Sequence, residues 1–200
     1  MRVVEAVHAA EASTTAEIVP VILQKSSGYL WVHLWMGLLG FLILSVTLIG
    51  LEEYRIREFT VHEVLTAQII SLILGMSLSF IPALKRLWVS KREAQWQTRE
   101  RAILSLHHSE LVNSPERNGV LIFISLFERK IHILPDLALQ PLIPQTYWQI
   151  RIDDLVRGVH HGKPIDALCN CITEIGKVLQ QHFPHQGEKK NVISDQLREE

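Results

Sequence analysis

Nucleophilic or transition-metal chemistry in this 200-residue chain would fall to two cysteines, ten histidines and Ser125, a serine set inside an apolar run. Cys169 and Cys171 are two apart in a helical pattern, so at about 100° per residue they project to nearly opposite sides and share a metal poorly. His107-His108 and His160-His161 are adjacent pairs, which cannot face one partner from a helix and read as surface or boundary residues. Ser125 lacks the glycine-flanked pattern of a nucleophile elbow, and Asp153-Asp154 falls on the solvated face of its helix. A formal net charge of −1 and a pI near 6.8 provide no global attraction for nucleic acid.

The elements that must position any site are organised around two apolar stretches. Residues 29–51 contain no Asp, Glu, Lys or Arg and a single histidine, His33, and at ~1.5 Å per residue they reach ~34 Å, enough for a bilayer's hydrocarbon core. Residues 64–84 carry no charge, and EEYRIREFTVHE between them is too polar for lipid and too short for a domain. The pattern predicts a transmembrane helical hairpin over residues 29–85, which also accounts for a hydrophobic content of 48%. His33 lies near the start of its span, an interfacial position, and Ser71, Gly75 and Ser79 repeat a small-xxx-small spacing. That spacing serves packing against the first span or contact with a second copy of the chain.

Lys85, Arg86, Lys91 and Arg92 follow the second span and Lys25 precedes the first, whereas the connecting loop has only Arg55 and Arg57. The positive-inside rule therefore places both termini, and the soluble residues with them, in the cytoplasm of a bacterial inner-membrane protein. The N-terminus shows no cleavable leader, so the first span does the targeting.

Outside the hairpin, Val3–Ala12 reads as a helix and AEIVPVIL as a strand that Pro20 confines to an edge or bulge. From Lys85 to about Val112 the pattern predicts one amphipathic helix carrying Trp88, Trp96, Ile103 and Leu106, stopped by Asn113-Ser114-Pro115. VLIFISLF is apolar on both faces and reads as the central strand, and KIHIL returns as its antiparallel partner. Trp148, Ile152, Leu155, Val156 and Val159, then Ile165, Leu168, Ile172, Ile175 and Leu179, form the buried stripes of two further helices. The tail after His185 is charged and reads as loose.

In order, a helix, TTAEIVPVI, RNGVLIFISLFERKIHILPD and two amphipathic helices ending in HFP resemble the TPM domain shared by thylakoid-lumen acid-phosphatase-like proteins. The resemblance spans nearly the whole chain and is closest to a bacterial branch in which a two-span hairpin interrupts the domain. It implies an α/β fold, a small mixed sheet with helices on both faces, formed by residues 1–28 and 86–200 as one split domain. It also implies an acidic site sometimes occupied by calcium, and acid-phosphatase activity in some members. The matching positions are Glu17, Asn118 and Gly119, Glu128 and Arg129 at the hairpin tip, and Asp136. Glu17, Asn118 and Asp136 supply oxygen donors of the kind a hard cation such as calcium takes. Enzymatic members commonly carry a glycine-rich loop after the second strand, where this chain reads LPDLALQPLIPQTYW. The expectation is a membrane-anchored module that binds the lipid bilayer and helps assemble or maintain another membrane protein. The alternative is a membrane-bound, calcium-binding phosphatase.

Overall fold

The computed structural model describes residues 2–54, 58–109, 111, 117–184 and 198–199. In chain order its elements are α1 (Arg2–Glu11), β1 (Ile18–Leu23), α2 (Leu30–Glu53), α3 (Val61–Leu78), α4 (Pro82–Trp88), α5 (Lys91–His108) and β2 (Val120–Ser125). β3 (Lys130–Pro135), α6 (Gln145–His160), α7 (Pro164–His182) and β4 (Arg198–Glu199) follow. The chain forms two compact units, one of Met1–Ser26 with Gln95–Glu200 and the other of Ser27–Ala94. Arg55 and Arg57, the Asn113-Ser114-Pro115 stop and the charged tail from 185 to 197 lie outside the described residues.

The first unit is mixed α/β. Its three main strands run in the order β3-β2-β1, with β2 antiparallel to β3 and parallel to β1, and Ile18, Val120 and Pro135 lie in one cross-strand row. A parallel pair needs a crossover connection, and residues 24–119 supply it. β2 is apolar on both faces because both are covered. Leu121 and Phe123 pack with Val19, Val21, Leu23, Ala102 and Leu111 on one side. Val120 and Ile122 pack on the other with Val7 of α1, Trp148 and Leu155 of α6, and Ile172, Ile175 and Leu179 of α7. Each large aliphatic side chain so buried contributes about 1.5–3 kcal/mol.

Three expectations are corrected here. The helix after Lys85 is not continuous: Val89 is extended, and Ser90 accepts the Glu93 amide at 3.1 Å, starting α5 afresh. α5 packs on the sheet through Thr98, which meets His132, and Ala102, which packs with Leu121 and Phe123, while Trp96 is 64% exposed and Ile103 is also exposed. β1 meets the edge expectation at Pro20 and gains a second neighbour only beyond it, where Val21 and Ile22 pair with Arg198 and Glu199 of β4. That pairing begins just past Pro20, which has no N–H to offer a neighbour. In α7, Cys171 joins the buried stripe and Ile165 faces out.

α1 and α7 meet at a glycine. A Cβ on Gly176 would lie 2.6 Å from Ala10 Cβ, so the two helices approach as closely as backbone allows. Thr15 N–H donates to Phe183 O at 3.1 Å, and the Thr14 hydroxyl donates to the same carbonyl at 2.6 Å.

The second unit is an antiparallel pair of apolar helices. α2 has 24 residues, ~36 Å, and α3 has 18, ~27 Å, so both are long and apolar enough to cross a membrane. α3 begins at Val61 rather than at 64, since Thr60 and Glu63 form a reciprocal capping box, and it ends at Leu78 rather than running to 84. Pro82 opens α4, and the residue before it, Ile81, is extended. Gly37 and Gly40 of α2 face Ser71 and Gly75 of α3. The face carrying the small-xxx-small repeat is thus occupied within the hairpin.

Candidate functional site

Sheet register brings Glu17 and Asp136 to one end of the sheet. One step beyond the Ile18, Val120, Pro135 row lie Glu17, Gly119 and Asp136, with Val120 N–H donating to Glu17 O at 2.8 Å and Asp136 N–H to Gly119 O at 2.9 Å. Cross-strand partners share a face, so the two carboxylates flank the glycine, two strand spacings or ~9.6 Å apart along the backbone. Both are buried, as is Asn118. A cation at 2.3–2.6 Å from its ligands would have to sit between them, over Gly119. That place is filled: a Cβ on Gly119 would come within 2.2 Å of Leu111 Cδ2. An apolar side chain thus separates the two acids.

Asp136 is also committed elsewhere. Arg117 Nε donates to Oδ2 and Nη2 to Oδ1, both at 2.9 Å, and Leu137 N–H donates to Oδ1 at 2.7 Å. Arg117 reaches this fork from a left-handed backbone conformation, φ +50°, in which its carbonyl accepts Ala138 N–H at 3.1 Å. The hydrogen bonds to Asp136 raise the guanidinium's pKa above its ordinary value. A bidentate arginine supplies the charge compensation that a cation would otherwise supply. Asn118 points to the opposite face by the pleat, and its amide donates to Thr15 Oγ1 at 3.2 Å. Glu17, Asn118 and Asp136 therefore share one end of the sheet without converging. Among the described residues, no group of three or more His, Cys, Asp and Glu side chains is placed to hold a metal ion.

Arg117 is a site residue that the sequence pattern alone does not single out. Once β2 and β3 are registered, it stands diagonally across from Asp136, and opposite charges at that offset are a recognised cross-strand pair. Glu11 is another. Its carboxylate, buried at the end of α1, accepts Ile18 N–H at 2.7 Å and caps the start of β1.

Glu128 and Arg129 lie in the β2–β3 turn, where Arg129 adopts φ +53°. The Glu128 carboxylate turns inward instead of projecting as a free tip. It accepts the Ser125 hydroxyl and, at 3.0 Å, Ser26 N–H, while Ser26 Oγ donates to Ser125 Oγ at 3.0 Å. This arrangement ties the chain leaving β1 to the turn leaving β2, and Ser125 serves as a buried structural hydroxyl.

His132 on β3 meets α5. Its Nε2 lies 2.9 Å from Thr98 Oγ1, which itself donates to Gln95 O at 3.1 Å, so the ring donates and the hydroxyl accepts. Burial first, and then the charges of Arg99 and Lys130, lower its pKa below the ordinary 6.5. The unfolded chain therefore takes up this proton more readily than the folded one. His132 should leave stability unchanged above about pH 6.5 and subtract from it as pH falls toward the depressed folded value. Denaturant midpoints measured from pH 7.5 to 5 should fall less steeply in His132→Gln than in the native chain.

Cys169 and Cys171 are both free thiols. Burial pushes the Cys171 pKa up to about 12, which leaves it unreactive while the unit is folded.

Within the helical hairpin, a polar cluster closes the open end. Lys85 Nζ donates to Gly28 O at 2.6 Å and lies 3.2 Å from His33 Nε2, while His33 Nδ1 meets the Ser79 hydroxyl. Ser79 Oγ donates to Met76 O at 2.6 Å.

Comparison with known proteins adds one relationship. The chain superposes on the NMR structure of BA42 protein from the psychrophilic bacterium Bizionia argentinensis with a TM-score of 0.59 and 14% sequence identity, covering 99% of this chain and 90% of that one. At that identity the likeness shows the fold alone. No protein-family model matches the chain, and no curated protein matches it at a significant level.

Proposed function

We propose that the chain is a membrane-tethered α/β module that binds, and helps assemble or maintain, another membrane protein. The observation that carries this reading is the hairpin. Leu34, Trp35, Ile43, Val46, Ile69 and Leu74 all expose more than half of their surface along α2 and α3, an arrangement suited to lipid and costly in water. The basic flank after the second span supports a cytoplasmic soluble unit with both termini inside a bacterial cytoplasmic membrane. The resemblance to the TPM domain supports one split soluble domain, and the Arg117–Asp136 fork with Leu111 over Gly119 supports a binding role over hydrolysis. Crosslinking in intact membranes followed by purification of the full chain should recover one reproducible membrane-protein partner; recovery of none would sink the reading.

The two buried carboxylates flanking Gly119 favour one rival, an acid-phosphatase-like hydrolase with a calcium-bound acidic site. It predicts phosphomonoester hydrolysis that calcium stimulates and that Asp136→Ala or Glu17→Ala abolishes. The binding reading predicts background rates in all three proteins, with Asp136→Ala losing stability instead, because it strips Arg117 and Leu137 N–H of their acceptor. Hydrolysis rates with and without calcium, measured beside thermal midpoints, separate the two.

A further inference from the structure

The sheet ends on one side at β3 and on the other at β4, a strand of two residues where β1, β2 and β3 have six each. The parallel register fixes which backbone groups of β1 face that short strand. Val120 N–H donates to Glu17 O and Leu126 N–H to Leu23 O, so Val19 and Val21 turn both of their backbone groups toward β2 while Ile18, Pro20 and Ile22 turn theirs outward. Two of these outward positions offer no donor to an added chain: Ile18 N–H is taken by the Glu11 carboxylate at 2.7 Å, and Pro20 has no N–H. Ile22 keeps its donor. Arg198 stands opposite Val21, which directs its carbonyl toward Ile22 N–H and its own N–H toward Pro20 O. The edge is therefore blunted over its first half and left with one seat in its second. The chain around this seat does not depend on β4. Thr15 N–H and the Thr14 hydroxyl hold Phe183 O, and Thr14 bridges Pro184, so the end of α7 is fixed independently.

We propose that the outer edge of β1 at residues 20–22 is a strand-addition site, filled in this chain by its own Arg198 and filled in a complex by an extended segment of the partner membrane protein running parallel to β1. The inference rests on the binding reading above and names its surface. The seat selects its ligand through the backbone. It presents the Ile22 N–H between the carbonyls of Pro20 and Ile22, a pattern that an extended chain completes and that a helix, with its N–H and C=O groups bonded internally, leaves unmet. β4 shows the direction such a chain takes. It also sets a threshold, because a tethered segment is present at high effective concentration and an incoming strand must displace it.

The test uses the full chain and two substitutions with opposite effects. Arg198→Pro removes the N–H that faces Pro20 O and should vacate the seat. Ile22→Pro removes the seat's donor but none of the bonds to β2, as Pro20 already does two residues earlier. In detergent-purified protein, hydrogen exchange at the Ile22 amide should quicken at least about tenfold in Arg198→Pro. A synthetic peptide of residues 189–200, added in trans, should restore the native rate. In intact membranes, Arg198→Pro should crosslink the partner at least about threefold more than the native chain does, and Ile22→Pro should fall to background with buried Cys171 still protected from labelling. Native exchange in Arg198→Pro, or a peptide that leaves the exchange fast, overturns the seat. A partner whose capture neither substitution changes overturns the surface and leaves the binding reading standing. No capture by any of the chains overturns that reading, and the partner strand with it. If Ile22→Pro exposes Cys171, the Arg198→Pro chain and the peptide decide between these outcomes by themselves.

Discussion

Gly176→Leu should unfold the α/β unit at markedly lower denaturant than the native chain, at a cost of about 3 kcal/mol or more. A Cβ at this position meets Ala10 Cβ at 2.6 Å and Ala10 Cα at 3.1 Å, both on the opposing helix, so there is no flexible side-chain end to give way. α1 and α7 must separate, which disturbs Val7, Ile172 and Ile175 in the same cluster. Gly176→Ala is the more informative variant. It gains roughly 1 kcal/mol of helix propensity and loses more than that to the clash, so its net effect should be destabilising. Paired with Ala10→Gly, which removes the opposing methyl, the double variant should recover most of the loss, a coupling expected for side chains in direct contact. Labelling of Cys171 in a Cys169→Ser background reads this unit by itself, because a buried thiol with a pKa of about 12 reacts only when its surroundings open. Independent, additive effects of Ala10→Gly and Gly176→Ala would mean that the helices do not cross there.

What was legible in the sequence followed from short-range pattern. The central strand announces itself because Val120 to Ile124 are apolar on both faces, and only a covered strand can be. The helical hairpin is equally plain, since both apolar stretches are long enough to form helices and the short polar segment between them turns the chain back. The α5 face is hard to read for a physical reason: large apolar residues dominate a periodicity count, yet Thr98 and Ala102 make the contact with the sheet, and Trp96 stays outside. The Thr60–Glu63 capping box was visible as T-x-x-E and would have started α3 three residues earlier. The candidate acidic site was the least legible part. Glu17 and Asp136 could be named from the resemblance, but their surroundings depend on Arg117, 19 residues from Asp136 in sequence, and on Leu111, which reaches Gly119 from the segment between α5 and β2. Neither contact has a local signature. Both appear once sheet register and the seat of Leu111 are fixed: Asp136 is paired with Arg117, and Leu111 lies over Gly119.

In the hairpin, Gly75→Leu should have the largest effect of any single change, because the atoms it would meet are backbone. Its Cβ would lie 2.6 Å from Met36 O and 3.0 Å from Gly37 Cα, so α2 and α3 cannot keep their spacing. Pushing them apart also stretches the Gln68 Nε2 to Ser45 Oγ hydrogen bond, 3.2 Å, and the Ser79 to His33 contact at the closed base. The expected cost is about 2–3 kcal/mol, read as a lower thermal midpoint in mild detergent and faster proteolysis between the helices. Gly50→Leu is the matched control: the same change on α2, at a glycine with nothing within 4 Å, should be neutral or slightly stabilising through helix propensity. The contrast also decides between two uses of the Ser71, Gly75, Ser79 repeat. If the repeat packs the hairpin, Gly75→Leu loosens the monomer itself and the loss is independent of protein concentration. If it joins two copies, the variant should instead lose a dimer while each hairpin melts as before, and sedimentation in detergent would show the change in mass. The backbone contacts at Met36 and Gly37 predict the first outcome, since a leucine there must open α2 from α3 before it can touch a second chain.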